Sequence, residues 1–278
     1  MKNLFLVAAL LLVPYEAAAD QYPKRPITIV VGLGPGSSAD IVTRIVAGAL
    51  SRELATPVVV ENRTGAEGTL AALEVSRAVP DGYTVLGLTD SMLYRVGKVP
   101  LRYDPQSLTY IAGLGHFQAP WIVSSPATLT NRRGLEGATM AHGNFVGRMC
   151  AYRYRARVGL PVTLIPYPSE PQALADVAAG RVSLMCSIPT ASRALVEKGL
   201  LRVHGNDEEL IPHLGLAGPP GLSKAVVSAL SRVVGRVLTN PATIEALGTT
   251  SFTTAFPTTP EHYRESSIKR SAFLNTLR

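Results

Sequence analysis

Ile27-Thr28-Ile29-Val30-Val31 runs into Gly32-Leu33-Gly34-Pro35-Gly36-Ser37-Ser38-Ala39-Asp40, and this stretch decides the fold. The β-branched apolar run reads as a buried strand that ends abruptly in a loop of small residues. From Ile41 to Leu50 the apolar positions are 41, 42, 45, 46, 49 and 50, which is helical spacing. Strand, tight turn and helix in succession put the turn at a helix N-terminus. There the first backbone N–H groups lack intrahelical partners and the dipole favours negative charge. The loop therefore reads as half of an anion site.

The alternation continues outward from this unit. Val58-Val59-Val60 reads as a second buried strand, ending in Glu61-Asn62-Arg63. Thr64-Gly65-Ala66-Glu67-Gly68 is another small-residue turn, with a helix expected from Thr69 to Ala78. Pro80-Asp81-Gly82 marks a turn, and Tyr83 to Leu88 reads as a third strand opening into Thr89-Asp90-Ser91. Alternating strands and helices predict an α/β protein with a parallel sheet, its ligand lying outside the carboxyl ends of the strands. Near the C-terminus, helical patterns at Ala225 to Leu238 and Ala242 to Leu247 are separated by Asn240-Pro241.

The chain has 278 residues, only 17% of them charged, and a net charge of +7. That length supports a sizeable core and one or two domains. The densest basic patch, Arg148 to Arg157, interleaves arginines with tyrosines and reads as a solvated helix face rather than a nucleic-acid surface. Residues 1–19 read as a secretory signal, with Lys2, an apolar run from Leu4 to Val13 and Ala17-Ala18-Ala19 before the cleavage point. The apolar run is too short to span a membrane, so the mature chain is expected to begin near Asp20 in an exported compartment. Cys150 and Cys186 are the two cysteines. Export permits a disulfide, but their apolar contexts favour small buried thiols.

Tyr22-Pro23 through Asp40, Pro57-Val58-Val59-Val60-Glu61-Asn62-Arg63-Thr64-Gly65-Ala66 and Pro80-Asp81-Gly82-Tyr83-Thr84 together resemble the Bug family. These are the TctC-type periplasmic solute receptors of tripartite tricarboxylate transporters. The similarity continues through Tyr103-Asp104-Pro105, Ile165-Pro166-Tyr167, Ala173 to Val182 and Gly215 to Gly221. The resemblance implies a type II, two-lobed Venus-flytrap architecture with a ligand cleft between α/β lobes. Lobe 1 is then expected at 20–120 plus 222–278, and lobe 2, inserted into it, at 121–221. After Val203 the chain is shorter than the family pattern, which implies a changed return between lobes and an exposed sheet edge.

The resemblance also implies a site. Loops from opposite lobes would hold a ligand carboxylate, one with Leu33, Pro35, Gly36, Ser37, Ser38 and Asp40, the other with His142, Gly143, Asn144, Phe145 and Val146. Thr89, Asp90 and Ser91 would face the same cleft. Asp40 reads as structural within its loop, because a carboxylate aimed at an anion would repel it. Asp90 is expected either to pair with a ligand amino group or to sit exposed on its loop. Ser37, Phe145 and Val146 depart from the family pattern and narrow the space for backbone approach. The expected partners are a small organic anion or amino acid and a membrane permease. The expected state is a monomer, without cofactor, metal or nucleic acid.

Enzyme readings are weaker. Gly32-x-Gly34 and Glu61 imitate a dinucleotide fingerprint, but Ser37 stands at its third glycine. The chain has no G-x-S-x-G elbow. His116, His142, His204, His213 and His262 have no metal-ligand spacing. The alternatives to a transport receptor are a ligand sensor or partner protein of the same fold, or a decayed paralogue without ligand binding.

Overall fold

The computed structural model describes residues 22–93, 101–128, 136–250, 252–254 and 259–276. The expected signal segment lies outside these residues. In chain order the first elements are β1 (Ile27–Val31), α1 (Ser38–Leu54), β2 (Val58–Asn62), α2 (Thr69–Ser76), β3 (Thr84–Thr89) and β4 (Thr109–Phe117). The middle of the chain forms β5 (Trp121–Ser124), β6 (Thr139–His142), α3 (Phe145–Val158), β7 (Thr163–Pro166), α4 (Glu170–Ala178), β8 (Leu184–Ser187), α5 (Pro189–Glu197) and β9 (Arg202–Asn206). The last part returns as β10 (His213–Gly218), α6 (Lys224–Thr239), α7 (Pro241–Gly248), β11 (Phe252–Thr254) and α8 (Pro260–Thr276).

Two sheets result, in the orders β11-β4-β10-β3-β1-β2 and β7-β6-β8-β5-β9. The fold is thus a two-lobed α/β architecture, as the sequence implied. The sheets are mixed rather than parallel throughout. β1 pairs in parallel with β2 and β3, but β10 enters antiparallel between β3 and β4. An alternation of strand and helix fixes the parallel units but is silent about a strand returning from the far lobe.

Local chemistry sets the central unit. Ser37 caps α1 by accepting the Asp40 N–H, and Ala55 ends the helix in a left-handed conformation. The apolar stripe Val42, Val46, Ala49 and Leu50 is buried in the same cluster as Ile27, Ile29 and Val31 of β1. β2, expected to be buried on both faces, alternates instead and leaves Val59 44% exposed, because it is the edge strand of its sheet.

The chain leaves the first sheet after Phe117 and returns between Asn206 and His213. The crossing segments are tied together, the Phe117 N–H donating to the Pro212 carbonyl and the Asp207 N–H to the Pro120 carbonyl. Since β10 belongs to the first sheet, the return falls at 207–212, ahead of the expected boundary at 221. β9, which spans the shortened point, is exposed along its whole length at the edge of the second sheet.

The cysteines correct the sequence reading. Cys150 of α3 and Cys186 of β8 form a disulfide, with Cα atoms 6.0 Å apart. Both are fully buried, which is why an apolar context in the sequence suggested thiols. The basic run on α3 is largely engaged. Arg153 pairs with Asp207 at 2.7 Å and Glu209 at 2.6 Å, and Arg148 with Glu67 at 2.8 Å. Among the described residues no helix is long and apolar enough to cross a membrane.

Candidate solute site

The β1–α1 loop is held in shape by Asp40. Its carboxylate accepts from the Gly36 N–H at 2.9 Å, from Asn62 Nδ2 at 2.8 Å and from Arg44 Nε at 3.1 Å. Gly36 has φ +75, a left-handed turn that glycine adopts without strain. Burial raises the Asp40 carboxyl, but Arg44, Asn62 and the Gly36 N–H outweigh it and hold the group below the usual range. Asp40 is therefore a structural clamp, and its oxygens are committed to the loop.

The β6–α3 loop faces it from the second sheet. Asn144 caps α3, its side-chain oxygen accepting the Gly147 N–H at 2.8 Å. A Cβ on Gly143 would lie 2.5 Å from the Glu170 nitrogen and 2.6 Å from the Ser169 carbonyl carbon. Only glycine lets this loop pass so close to the start of α4. Phe145 and Val146 point inward and are buried.

Between the loops lie two cavities. The outer one, about 440 Å³, is lined by Leu33, Ser37, Glu67, His142, Gly143 and Tyr167 among others. The inner one, only about 30 Å³, is lined by Ser38, Thr89, Asp90, Ser91, Phe145 and Val146 among others. That is room for about one water. Leu33, Asn144 and Glu170 line both and form the partition between them.

The residues singled out in the sequence are thus brought together but divided between two compartments. Leu33, Ser37, His142, Gly143 and Asn144 line the outer chamber, whereas Pro35, Gly36 and Asp40 line neither cavity. Asp90 is neither an exposed loop residue nor a free carboxylate. It is 4% exposed, accepts the His213 N–H at 3.1 Å and lies 3.4 Å from Arg270 Nε on α8. Its charge is already met by that guanidinium, whose position 180 residues away leaves no local trace in the sequence. Burial first, and then the Arg148 charge, hold His142 below the ordinary imidazole range, so it faces the chamber as a neutral ring.

Glu170, missed by the sequence reading, sits at the centre. It is 1% exposed and hydrogen-bonds groups from both lobes. Burial pushes its carboxyl above the usual range, while the Ile188 N–H, the Ser187 hydroxyl and Ser38 pull it back down. In the sequence Ser169-Glu170-Pro171 looks like an ordinary helix start, with a serine cap, an acidic first turn and an early proline. A second interlobe tie joins Arg148 of α3 to Glu67 of the β2–α2 turn, both largely shielded from solvent. Burial raises the Glu67 carboxyl, and Arg148 opposes the rise.

Comparison with known proteins gives the geometry its context. Residues 42–210 match the family model described as "Tripartite tricarboxylate transporter family receptor". A UPF0065 protein of Agrobacterium vitis, in the TAR-I ttuE-ttuC' intergenic region, is 30% identical over 203 residues, covering 66% of this chain. The chain spans 57% of the length of that relative. R. palustris Rpa4515 with adipate superposes with a TM-score of 0.85 at 20% identity, covering 92% of this chain and 97% of that one. MatC of Rhodopseudomonas palustris with bound malate superposes with a TM-score of 0.83 at 20% identity, covering 92% and 99%.

Proposed function

The chain belongs to the tripartite tricarboxylate transporter receptor family, and from that premise we propose that it captures a small carboxylate or amino acid in the periplasm and presents it to a membrane permease. The family is one of periplasmic solute receptors, not of enzymes. The observation that carries the reading is the outer chamber of about 440 Å³, walled by the β1–α1 loop of one lobe and the β6–α3 loop of the other. Its size falls within the range of small-molecule pockets. Both loops lead into helix N-termini, which favour an anion. Structural relatives with adipate and malate support a carboxylate as the solute.

The mechanism is capture by closure. Each loop supplies half of the chamber, so a solute gains its full set of contacts only when the lobes meet. Closure is driven by the difference in solute affinity between the open and closed forms. The Arg148–Glu67 pair completes with the closed arrangement, and the tied segments at 118–120 and 207–212 are the natural hinge. The Cys150–Cys186 bond supports an oxidising compartment such as the periplasm.

The test is thermal unfolding of the chain from Asp20 with monocarboxylates, dicarboxylates, tricarboxylates and amino acids. A solute at a hundredfold its Kd adds about 2.7 kcal/mol, a rise in Tm of roughly 5–10 °C. A cooperative melt unmoved by every carboxylate and amino acid would remove the receptor reading.

A further inference from the structure

The donors that converge behind the chamber already have an acceptor, and it belongs to the chain. Oε2 of Glu170 accepts from Ser38 Oγ and Asn144 Nδ2, each at 3.2 Å. Oε1 accepts from Ser187 Oγ and the Ile188 N–H, each at 3.1 Å. Ser38 opens α1, Asn144 caps α3 and Ile188 caps α5, so helix N-termini from both lobes meet on one carboxylate. These donors are neutral hydroxyl, amide and backbone groups. Such a cluster is how a protein holds a free carboxylate, and here a side chain occupies it.

We propose that Glu170 is a tethered carboxylate that fills this anion seat and excludes a second carboxylate, so that the receptor selects solutes carrying a single one. The selectivity rests on the receptor reading above, but the filled seat does not. A dicarboxylate reaching from the outer chamber through the partition must displace Glu170, stranding that buried carboxylate without its donors, or bring a like charge against it. A monocarboxylate or a zwitterionic amino acid meets neither cost, because its carboxylate stays in the outer chamber.

Glu170→Ala removes one methylene and one carboxylate, the atoms that acetate restores. Acetate should raise the Tm of Glu170→Ala by roughly 5–10 °C at a hundredfold over its Kd, clearly more than it raises that of the wild-type chain, in which the seat is filled. Glu170→Gln, which keeps the seat filled, should respond to acetate no more than the wild-type chain does. If Glu170→Ala is unfolded in buffer, acetate in the refolding mixture should restore the native circular-dichroism spectrum. Failure of acetate either to raise the Tm or to restore the fold, or an equal response of the wild-type chain, overturns the seat.

Succinate against the wild-type chain tests selectivity. A response to monocarboxylates but not succinate supports the inference. An equal response to succinate overturns the inference and leaves the receptor reading standing. Acetate rescue of Glu170→Ala beside a wild-type chain unmoved by every solute overturns the selectivity and the receptor reading, and keeps the seat.

Discussion

Removing the disulfide by Cys150→Ala with Cys186→Ala should cost a large part of the protein's stability. The bond joins α3 to β8 across a sequence separation of 36. In the chain-entropy treatment, a loop of that length restrains the unfolded ensemble by about 4 kcal/mol at room temperature. For a chain of this size that corresponds to a fall in Tm of roughly 8–16 °C. Both sulfurs are buried without measurable exposure, so the substitutions also leave small voids that add to the loss. The assay is circular dichroism on heating, for wild type and double variant side by side. Thiol titration of the denatured, unreduced wild-type chain supplies the control. A fall of less than about 3 °C, or two titratable thiols in that control, would refute the account.

Gly143→Ala forces a Cβ against the backbone of Ser169 and Glu170 at 2.5–2.6 Å. Overpacking of that kind costs about 1–3 kcal/mol, and it should separate the β6–α3 loop from α4, read as a lower Tm and a lost solute response. Asp40 titrates below the usual carboxylate range, so its contribution is present above the unfolded value near pH 4 and lost as pH falls through the folded value. Asp40→Asn should therefore flatten the acid limb of a Tm-against-pH profile; an unchanged limb would remove the clamp from the stability balance. Glu170 has the opposite sign. Its raised carboxyl stabilises fully below the unfolded value, and that contribution is lost as pH rises through the folded one. Glu170→Gln should accordingly weaken the fall in stability above about pH 4.5.

Much of this protein was legible in its sequence because the physics that sets it is local. The run Ile27 to Val31, the capping serine at Ser37 and the spacing from Ile41 to Leu50 depend on neighbours a few residues away, and β1 and α1 form where those signals stand. The small-residue loops at 32–40 and 64–68, each leading into a helix, were readable for the same reason, whereas the β6–α3 loop was placed only by the family resemblance. The resemblance to solute receptors then implied two lobes, and the structure has two sheets.

What only the tertiary structure decided depends on residues far apart in the chain. The antiparallel insertion of β10, the Cys150–Cys186 bond and the Asp90–Arg270 pair each need a return path that no local pattern encodes. Glu170 is the clearest case. In the sequence it is an ordinary acidic residue in the first turn of a helix. In the fold, Ser38 from 132 residues earlier and Asn144 from 26 residues earlier close on it. Its set of donors, and so its chemistry, is complete only once Ser38 of the other lobe has closed on it.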